Sequence, residues 1–217
     1  MQIVQMFTTT LGSAAVISAV SMIFFSSSRR SEFRKNNKPL YKVVLALFFG
    51  VLSIYATLSA VDLGAVLCNC RNLPALYAGL VGGPIAGIGA GIIGGLFRFF
   101  YGAGTSSVPC MIACICAGII GSVMHLVIKK ENRYKILTGV IGSVITECVH
   151  MILLLIFNGI EPVKVLWAPI LTANALGMAF CLFMYKRCNP HKNELEEKKQ
   201  PEAAEQTDAD EPVKAEQ

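Results

Sequence analysis

The stretch that decides the fold is residues 69–98, which read NCRNLPALYAGLVGGPIAGIGAGIIGGLFR. It is apolar enough to enter a membrane, but its glycines and proline make it unlike a plain spanning helix. Such residues expose backbone polar groups that hydrocarbon cannot satisfy, so the segment must be surrounded by protein or by a water-filled cavity. Arg71 and Arg98 bracket the stretch, and a charge at membrane depth indicates a functional site by default.

Five further apolar runs reach the length of about 20 residues that a helix needs to cross a bilayer. Of the 217 residues, 54% are hydrophobic and 15% are charged. The sequence therefore predicts an all-α fold, namely a polytopic helix bundle in the lipid bilayer of the cell membrane, with five to six hydrophobic segments. We expect the first run to be retained rather than cleaved as a signal peptide, because Arg29-Arg30 follow it. The runs are 3–25, 43–67, 108–128, 136–157 and 163–185, with the glycine-rich run 73–97 as a sixth.

The charges divide the chain into two predicted domains. Residues 1–188 hold 15 Lys/Arg and 5 Asp/Glu, whereas residues 189–217 hold 4 and 9. We expect a membrane domain over 1–188 and a disordered acidic tail over 189–217, because the tail has too few apolar residues to bury a core. The basic residues of the membrane domain lie beside apolar runs, so its charge does not indicate nucleic-acid binding.

Two basic loops predict the membrane topology. Loop 26–42 holds six Lys/Arg and loop 129–135 holds four, and the positive-inside rule places both in the cytoplasm, together with Lys186-Arg187. An even number of crossings must then lie between the two loops. Runs 43–67 and 108–128 already supply two crossings.

The glycine-rich third segment is therefore expected to be re-entrant, with Gly82-Gly83-Pro84 as its apex. Its two arms would be 73–81 and 85–98. This gives five spans, an exterior N-terminus and a cytoplasmic C-terminus. Six full spans, with one basic loop on the exterior side, are the alternative.

Small residues on two runs predict helix contact faces. Glycines at 87, 91 and 95 recur every four residues, which lets another helix approach closely. Ala15 and Ala19 form a similar pair on the first run, suited to packing inside the bundle or to a partner such as a second copy in a homodimer.

Arg71 and Arg98 are candidates for an anion site, because guanidinium grips carboxylate or phosphate through two parallel hydrogen bonds. Asn69 and the backbone N–H groups near Gly82-Gly83-Pro84 would add donors. The rival interpretation is that Arg71 sits at an interface and Arg98 extends its charged end to the membrane surface.

Glu147 and Asn174 are two further candidate ligand-binding residues inside apolar runs. An unpaired carboxylate at mid-span is costly, so Glu147 is expected to bind a ligand, relay a proton or pair with Arg98 or His150. Asn174 either bonds a neighbouring helix or contacts ligand. His125, Glu147 and His150 lack an HExxH spacing, so no metal and no other cofactor is expected.

The cysteines and the remaining motifs give no catalytic site. The cysteines inside apolar runs are expected to act as small hydrophobes, while a bridge from Cys68 or Cys70 to Cys110 is the alternative if all three face the exterior. No nucleophile elbow, P-loop or paired-carboxylate cleft is visible. We expect a protein that is not an enzyme.

The glycine-rich stretch resembles the signature of the five-transmembrane receptor region of LytS-type sensor histidine kinases, a region that also occurs on diguanylate cyclases. The likeness extends over most of residues 1–187. It rests on Asn69-x-Arg71, Ala78-Gly79-Leu80-x-Gly82-Gly83-Pro84-x-x-Gly87, Gly91-x-x-Gly94-Gly95-x-x-Arg98, Glu147-x-x-x-Met151 and Pro169-x-x-x-x-Asn174-x-x-Gly177.

The resemblance implies an envelope sensor module of a two-component system. Within these 217 residues no kinase output domain follows the last run, so kinase activity is not carried over. The expected partners are a small anionic ligand and a cytoplasmic kinase or regulator. A substrate-binding membrane subunit of a small-molecule transporter is the alternative, and a scaffolding membrane protein without a ligand is a third hypothesis.

Overall fold

The computed structural model describes residues 2–26, 38–63, 66–101, 105–128, 132 and 134–188. The predicted tail 189–217 and most of the two basic loops lie outside the described residues. The division into two domains therefore stays a prediction.

Helices dominate the described residues, and they confirm the predicted polytopic all-α bundle. All helices except α3 are long and apolar enough to cross a membrane. Two short antiparallel strands pair Val61 with Cys68 and Asp62 with Leu67. The elements are α1 Gln2–Ser26, α2 Lys38–Leu58, β1 Val61–Asp62, β2 Leu67–Cys68, α3 Asn72–Gly82, α4 Pro84–Tyr101, α5 Ser107–Val127, α6 Ile136–Asn158 and α7 Ile160–Cys188.

The predicted second run, 43–67, is wrong in its last part. The helix α2 ends at Leu58, and the following residues form the β1–β2 hairpin. Apolar composition alone therefore did not extend the helix to residue 67. The β1–β2 hairpin packs into an apolar cluster with Met6 and Leu166, which closes one end of the bundle.

The short helix α3 is the centre of the bundle. It packs against α2, α4, α5, α6 and α7. All of its eleven residues are buried except Val81, which is half-buried. A helix that is apolar all round must be covered on every side, and the neighbouring helices provide that cover.

A sharp break at Gly83 separates α3 from α4, as predicted for the apex. Gly83 has φ of 81°, a left-handed conformation that glycine adopts without steric cost. Pro84 then begins α4, where its missing N–H is not needed. The helices α3 and α4 lie side by side, since a Cβ on Gly87 would meet the Cα of Gly79.

The predicted glycine stripe on α4 is a contact face for α5. A Cβ added at Gly91 would lie 2.8 Å from the backbone oxygen of Cys114, and one at Gly95 would lie 3.0 Å from that of Met111. Real Cβ atoms essentially never come closer than about 3 Å to such atoms. The absence of side chains therefore allows the two backbones to approach.

The small residues predicted as a contact face on α1, Ala15 and Ala19, are exposed on the outside of the bundle. The helix α1 packs on α7 through Ala14 and Ser18 instead, and the Ser18 hydroxyl lies 3.4 Å from the backbone oxygen of Gly177. Ala15 and Ala19 are therefore not the packing face of α1 inside the bundle, because the register of α1 is one residue away. A contact with a partner at these residues stays a prediction.

The two ends of the bundle differ in composition. At the end that we call the basic end, the Tyr185 ring contacts the rings of Phe25 and Tyr134, both at centroid distances of 5.0 Å. These contacts join the last turns of α1 and α7 to the start of α6. The described basic residues at this end are Lys38, Lys42, Lys135, Lys186 and Arg187.

The other end, which we call the hairpin end, holds β1 and β2. It also holds both feet of the α3–α4 hairpin, because Arg71 bonds Cys110 and Arg98 bonds Ser106 near the start of α5. The chain therefore leaves the hairpin end through α3 and rejoins it through α4.

Substitution of Gly118 by alanine tests the close packing of α3, α4 and α5. The added methyl would meet the backbone of Gly87, so we expect the free energy of unfolding to fall by about 1–3 kcal/mol. Thermal unfolding of the purified chain in detergent measures the loss. Gly12→Ala is the matched control, since nothing lies within 4 Å of its added Cβ. Equal unfolding temperatures for the two variants would contradict the packing described here.

Candidate functional site

A group of buried polar side chains lies inside the hairpin end. They come from the segment after β2, from α3, α4, α6 and α7, and from the turn that begins α5. None of them is more than 6% exposed. They are Asn69, Arg71, Asn72, Arg98, Ser106, Ser107, Glu147, His150 and Asn174.

Arg71 is 1% exposed and lies where the chain enters α3. Its backbone N–H donates to Asn69 Oδ1 at 3.3 Å, and its backbone oxygen accepts from Ser53 Oγ at 3.2 Å. Its guanidinium Nη2 donates to the backbone oxygen of Cys110 at 3.0 Å. Within the described part of the chain, Arg71 Nε and Nη1 and the Asn69 amide nitrogen have no hydrogen-bond partner.

Arg98 is also 1% exposed, so the alternative in which it extends to the membrane surface is wrong. Its Nη1 donates to Ser107 Oγ and its Nη2 to Ser106 Oγ, both at 3.0 Å. Its Nε has no hydrogen-bond partner among the described residues. The hydrogen bonds of both guanidinium groups thus go to neutral oxygens. The Asp62 carboxylate on β1 acts on Arg98 through its charge.

Glu147 on α6 is the centre of a second cluster, in which both carboxylate oxygens are bonded. Its Oε1 accepts from the Asn72 amide at 3.0 Å and from the Asn174 amide at 2.9 Å. Its Oε2 lies 3.1 Å from His150 Nδ1. The carboxylate thereby ties α3, α6 and α7 together. Of the two partners predicted for Glu147, the structure has His150 and not Arg98.

His150 connects this cluster to α5. A carboxylate can only accept, so the 3.1 Å contact with Glu147 assigns the proton to Nδ1 and leaves Nε2 to accept in the neutral imidazole. That nitrogen lies 3.5 Å from the Cys110 thiol sulfur. Cys110 also supplies the backbone oxygen that Arg71 bonds, so the two clusters meet at this residue.

Gly82, Gly83 and Pro84 do not belong to the arginine site, which corrects the sequence-based prediction. They lie at the far end of α3, about 16 Å away for eleven residues at 1.5 Å per residue. There Gly82 faces Leu45 and Gly83 faces His125. Their role is to turn the chain.

His125 lies at that same far end of α3, where its Nδ1 is 2.8 Å from the backbone oxygen of Leu80. It is therefore separated from Glu147 and His150. His125, Glu147 and His150 thus do not come together as a group of metal ligands.

The eight cysteines are all free thiols. The bridge from Cys68 or Cys70 to Cys110 that the sequence left open is therefore not formed. Burial raises the pKa of the Cys68 thiol to about 12, so this thiol stays protonated and is a weak nucleophile.

Sequence reasoning missed Asn72, Ser106, Ser107 and Cys110 as parts of the site. His150 had one signal, since residues three apart on a helix are neighbours and it follows Glu147 by three positions. The other four carry no spacing that distinguishes them from helix-start or core residues.

Comparison with known proteins assigns the chain to a family. A family model described as 5TMR of 5TMR-LYT matches residues 24–187. The sensor protein LytS of Bacillus anthracis is 34% identical over 132 residues, which cover 58% of this chain and 22% of that protein. No solved structure matches the chain.

Two further relatives are similar over more of the chain. LytS of Streptococcus agalactiae is 26% identical over 198 residues, covering 83% of this chain and 34% of that protein. The sensor histidine kinase BtsS of Escherichia coli is 28% identical over 153 residues, covering 66% and 27%. The chain thus spans about a fifth to a third of the length of these curated relatives. Since the family model covers most of the chain and its glycine-rich hairpin, the chain belongs to the 5TMR-LYT family of membrane receptor regions.

Proposed function

We propose that this membrane domain is a LytS-type sensor module that binds a small anion between Arg71 and Arg98 and relays the binding to a cytoplasmic signalling partner. The observation that carries the proposal is a pair of buried guanidinium groups in which Arg71 Nε and Nη1 and Arg98 Nε have no hydrogen-bond partner among the described residues. The matched relatives are named as sensor proteins and sensor histidine kinases, which supports the sensory part.

The physical argument for an anion is that buried charge must be compensated. A buried cation is costly unless it is paired and hydrogen-bonded, and the hydrogen bonds of both arginines go to neutral oxygens. Guanidinium presents a planar fork of donors that matches a carboxylate or a phosphate. A small anion would supply both the charge and the missing acceptors, and the Asn69 amide nitrogen is one more free donor.

The charge distribution supports an exterior ligand. The basic end carries Lys42, Lys135, Lys186 and Arg187, and the positive-inside rule assigns such an end to the cytoplasm. The hairpin end then faces the exterior, and α3–α4 form a re-entrant hairpin beside five spans. Large apolar side chains on the outer surface, such as Val51, Leu126 and Ile156, would contact the bilayer.

The Glu147 cluster supplies a physical connection from the anion site to α7. Asn72 is the residue after Arg71, and its amide shares one carboxylate oxygen with the Asn174 amide of α7. The helix α7 runs from the hairpin end to the basic end. An anion that draws Arg71 toward Arg98 would shift Asn72 and, through Glu147, the helix α7. An anion that binds one arrangement of these helices better than another shifts the population toward it, and a relayed signal requires such a shift.

Substitution of Arg98 by glutamine tests the anion site. We expect acetate, succinate or inorganic phosphate at about 10 mM to raise the unfolding temperature of the wild-type chain, because an anion that binds the native state stabilises it by mass action. The effect should vanish in Arg98→Gln and persist in Arg187→Gln, which removes an exposed charge at the basic end. Thermal unfolding in detergent is the measurement.

A stabilisation that survives Arg98→Gln would sink the anion site. Uptake of a radiolabelled stabilising anion into vesicles, dependent on Arg98, would support the transporter alternative instead of sensing.

Cysteine substitution tests the orientation. An impermeant maleimide added to intact cells should label Glu161→Cys, whose position at the hairpin end is exposed, and should fail to label Asn132→Cys in the basic loop. The unsubstituted chain gives the background from native cysteines. Labelling of Asn132→Cys from outside would overturn the five-span topology.

Substitution of Asn174 by leucine tests the relay. For the most stabilising anion of the panel, we expect binding to alter hydrogen exchange in residues 174–188 of the wild-type chain. In Asn174→Leu the anion should still stabilise the protein, but the change in exchange should be lost, because Glu147 no longer bonds α7. Thr172→Val is the control, since Thr172 is exposed and bonds only its own helix. An unchanged exchange response in Asn174→Leu would exclude this connection.

A further inference from the structure

Cys110, His150 and Glu147 are connected by two successive side-chain contacts inside the hairpin end. The Cys110 sulfur is 3.5 Å from His150 Nε2, and His150 Nδ1 is 3.1 Å from Glu147 Oε2. A thiol, an imidazole and an orienting carboxylate in this order are the arrangement that activates a cysteine as a nucleophile. All three side chains are nearly completely buried.

The carboxylate orients the imidazole firmly. Glu147 is itself held by the amides of Asn72 and Asn174, so it cannot turn away from His150 without breaking bonds to two other helices. Its acceptance from Nδ1–H keeps Nε2 free to take the thiol proton, and its charge stabilises the imidazolium that results. A cysteine that is buried only as a small hydrophobic residue would not need an oriented imidazole beside its sulfur.

The other buried cysteines of the described residues have different neighbours. The Cys181 sulfur lies 3.1 Å from the Ser18 hydroxyl, and a hydroxyl is no base at neutral pH. Cys114 is one turn from Cys110 on α5, and the groups that act on its thiol are Arg71, Ser53 and Cys110 rather than an imidazole. Cys114 is therefore a matched comparison at nearly the same depth.

The arginines add a reason why an anionic reagent would reach this thiol. Arg71 bonds the backbone oxygen of Cys110, and both Arg71 and Arg98 act on the Cys110 side chain through their charges. Positive charge beside a thiol favours the thiolate, which is the reactive form. The same guanidinium groups retain unpartnered donors for a carboxylate.

We propose that Cys110 is an activated thiol and a covalent modification site for small carboxylates that carry an electrophilic carbon next to the carboxylate group. The arginine part of this inference rests on the proposed anion site, whereas the activation by His150 and Glu147 does not. In the reaction, His150 Nε2 takes the thiol proton and the sulfur electron pair forms a bond to the electrophilic carbon. The bond from that carbon to its leaving group breaks, and the leaving group departs with the bonding electrons.

Iodoacetate is the probe, and iodoacetamide is its neutral counterpart of the same size. The full chain in detergent is treated with each reagent at about pH 7, and mass spectrometry of its peptides gives the alkylation rate at every cysteine. We expect iodoacetate to modify Cys110 at least about tenfold faster than Cys114, because only Cys110 faces a base. The rate ratio of iodoacetate to iodoacetamide should also be higher at Cys110 than at Cys188, which lies at the end of α7.

His150→Gln separates activation from access. This variant should slow alkylation of Cys110 by both reagents at least about tenfold. His125→Gln is the matched control, because it removes an imidazole from α5 at the other end of the bundle, and it should leave the Cys110 rate unchanged. If His150→Gln does not fold, the comparison of Cys110 with Cys114 in the wild-type chain still decides the matter.

Each outcome has one meaning. Alkylation of Cys110 no faster than Cys114, or an unchanged Cys110 rate in His150→Gln, overturns the activated thiol even where anions stabilise the protein. Fast, His150-dependent alkylation with no preference for iodoacetate supports the activated thiol and rejects its arginine part. In that case the thiol stands without its arginine part, and the anion site is decided by the thermal test of Arg98→Gln.

Discussion

The close approach of three helix backbones is the constraint on which the rest of the structure depends. Gly79 of α3, Gly87 of α4 and Gly118 of α5 meet where any side chain would strike a neighbouring backbone. In a bilayer, helices gain little from leaving lipid, so association relies on such close van der Waals packing. This packing holds a short, wholly buried helix at the centre of the bundle and fixes the depth at which its first residues lie.

The position of α3 explains why two polar clusters exist side by side. Arg71 and Asn72 lie at its start, so one neighbouring residue faces Cys110 and the next faces Glu147. The Glu147 carboxylate has a donor for each oxygen. Among the described residues, Arg71 and Arg98 keep N–H groups without a hydrogen-bond partner. A buried carboxylate that is bonded on both oxygens ties its neighbours together, whereas an uncompensated buried charge is costly until something pairs with it. The Glu147 cluster therefore suits a connection between helices, and the arginine cluster suits a ligand.

Membership of the 5TMR-LYT family is consistent with this division. The family model covers residues 24–187, which include the hairpin, both arginines, Glu147 and α7. The chain spans between 22% and 34% of the length of the relatives described, so their names as sensor kinases describe larger proteins. What the match assigns to these residues is the membrane receptor region. Within it, the helix that bonds Glu147 is also the one that ends among the basic residues.

The sequence by itself determined the bundle of apolar helices, the break at Gly83-Pro84, the glycine stripe of α4 and the family. These features are local, because helix length, helix breaking and four-residue spacing are read from neighbouring residues. Only the tertiary structure decided that Glu147 pairs with His150 rather than Arg98, that the Gly82–Pro84 turn lies far from the arginines, and that Cys110 joins the site. Spacing along α6 made His150 a candidate partner of Glu147, but the choice between His150 and Arg98 depended on which faces of packed helices meet. The contact of Cys110 with Arg71 joins residues 39 positions apart on different elements, and no spacing along one helix specifies that.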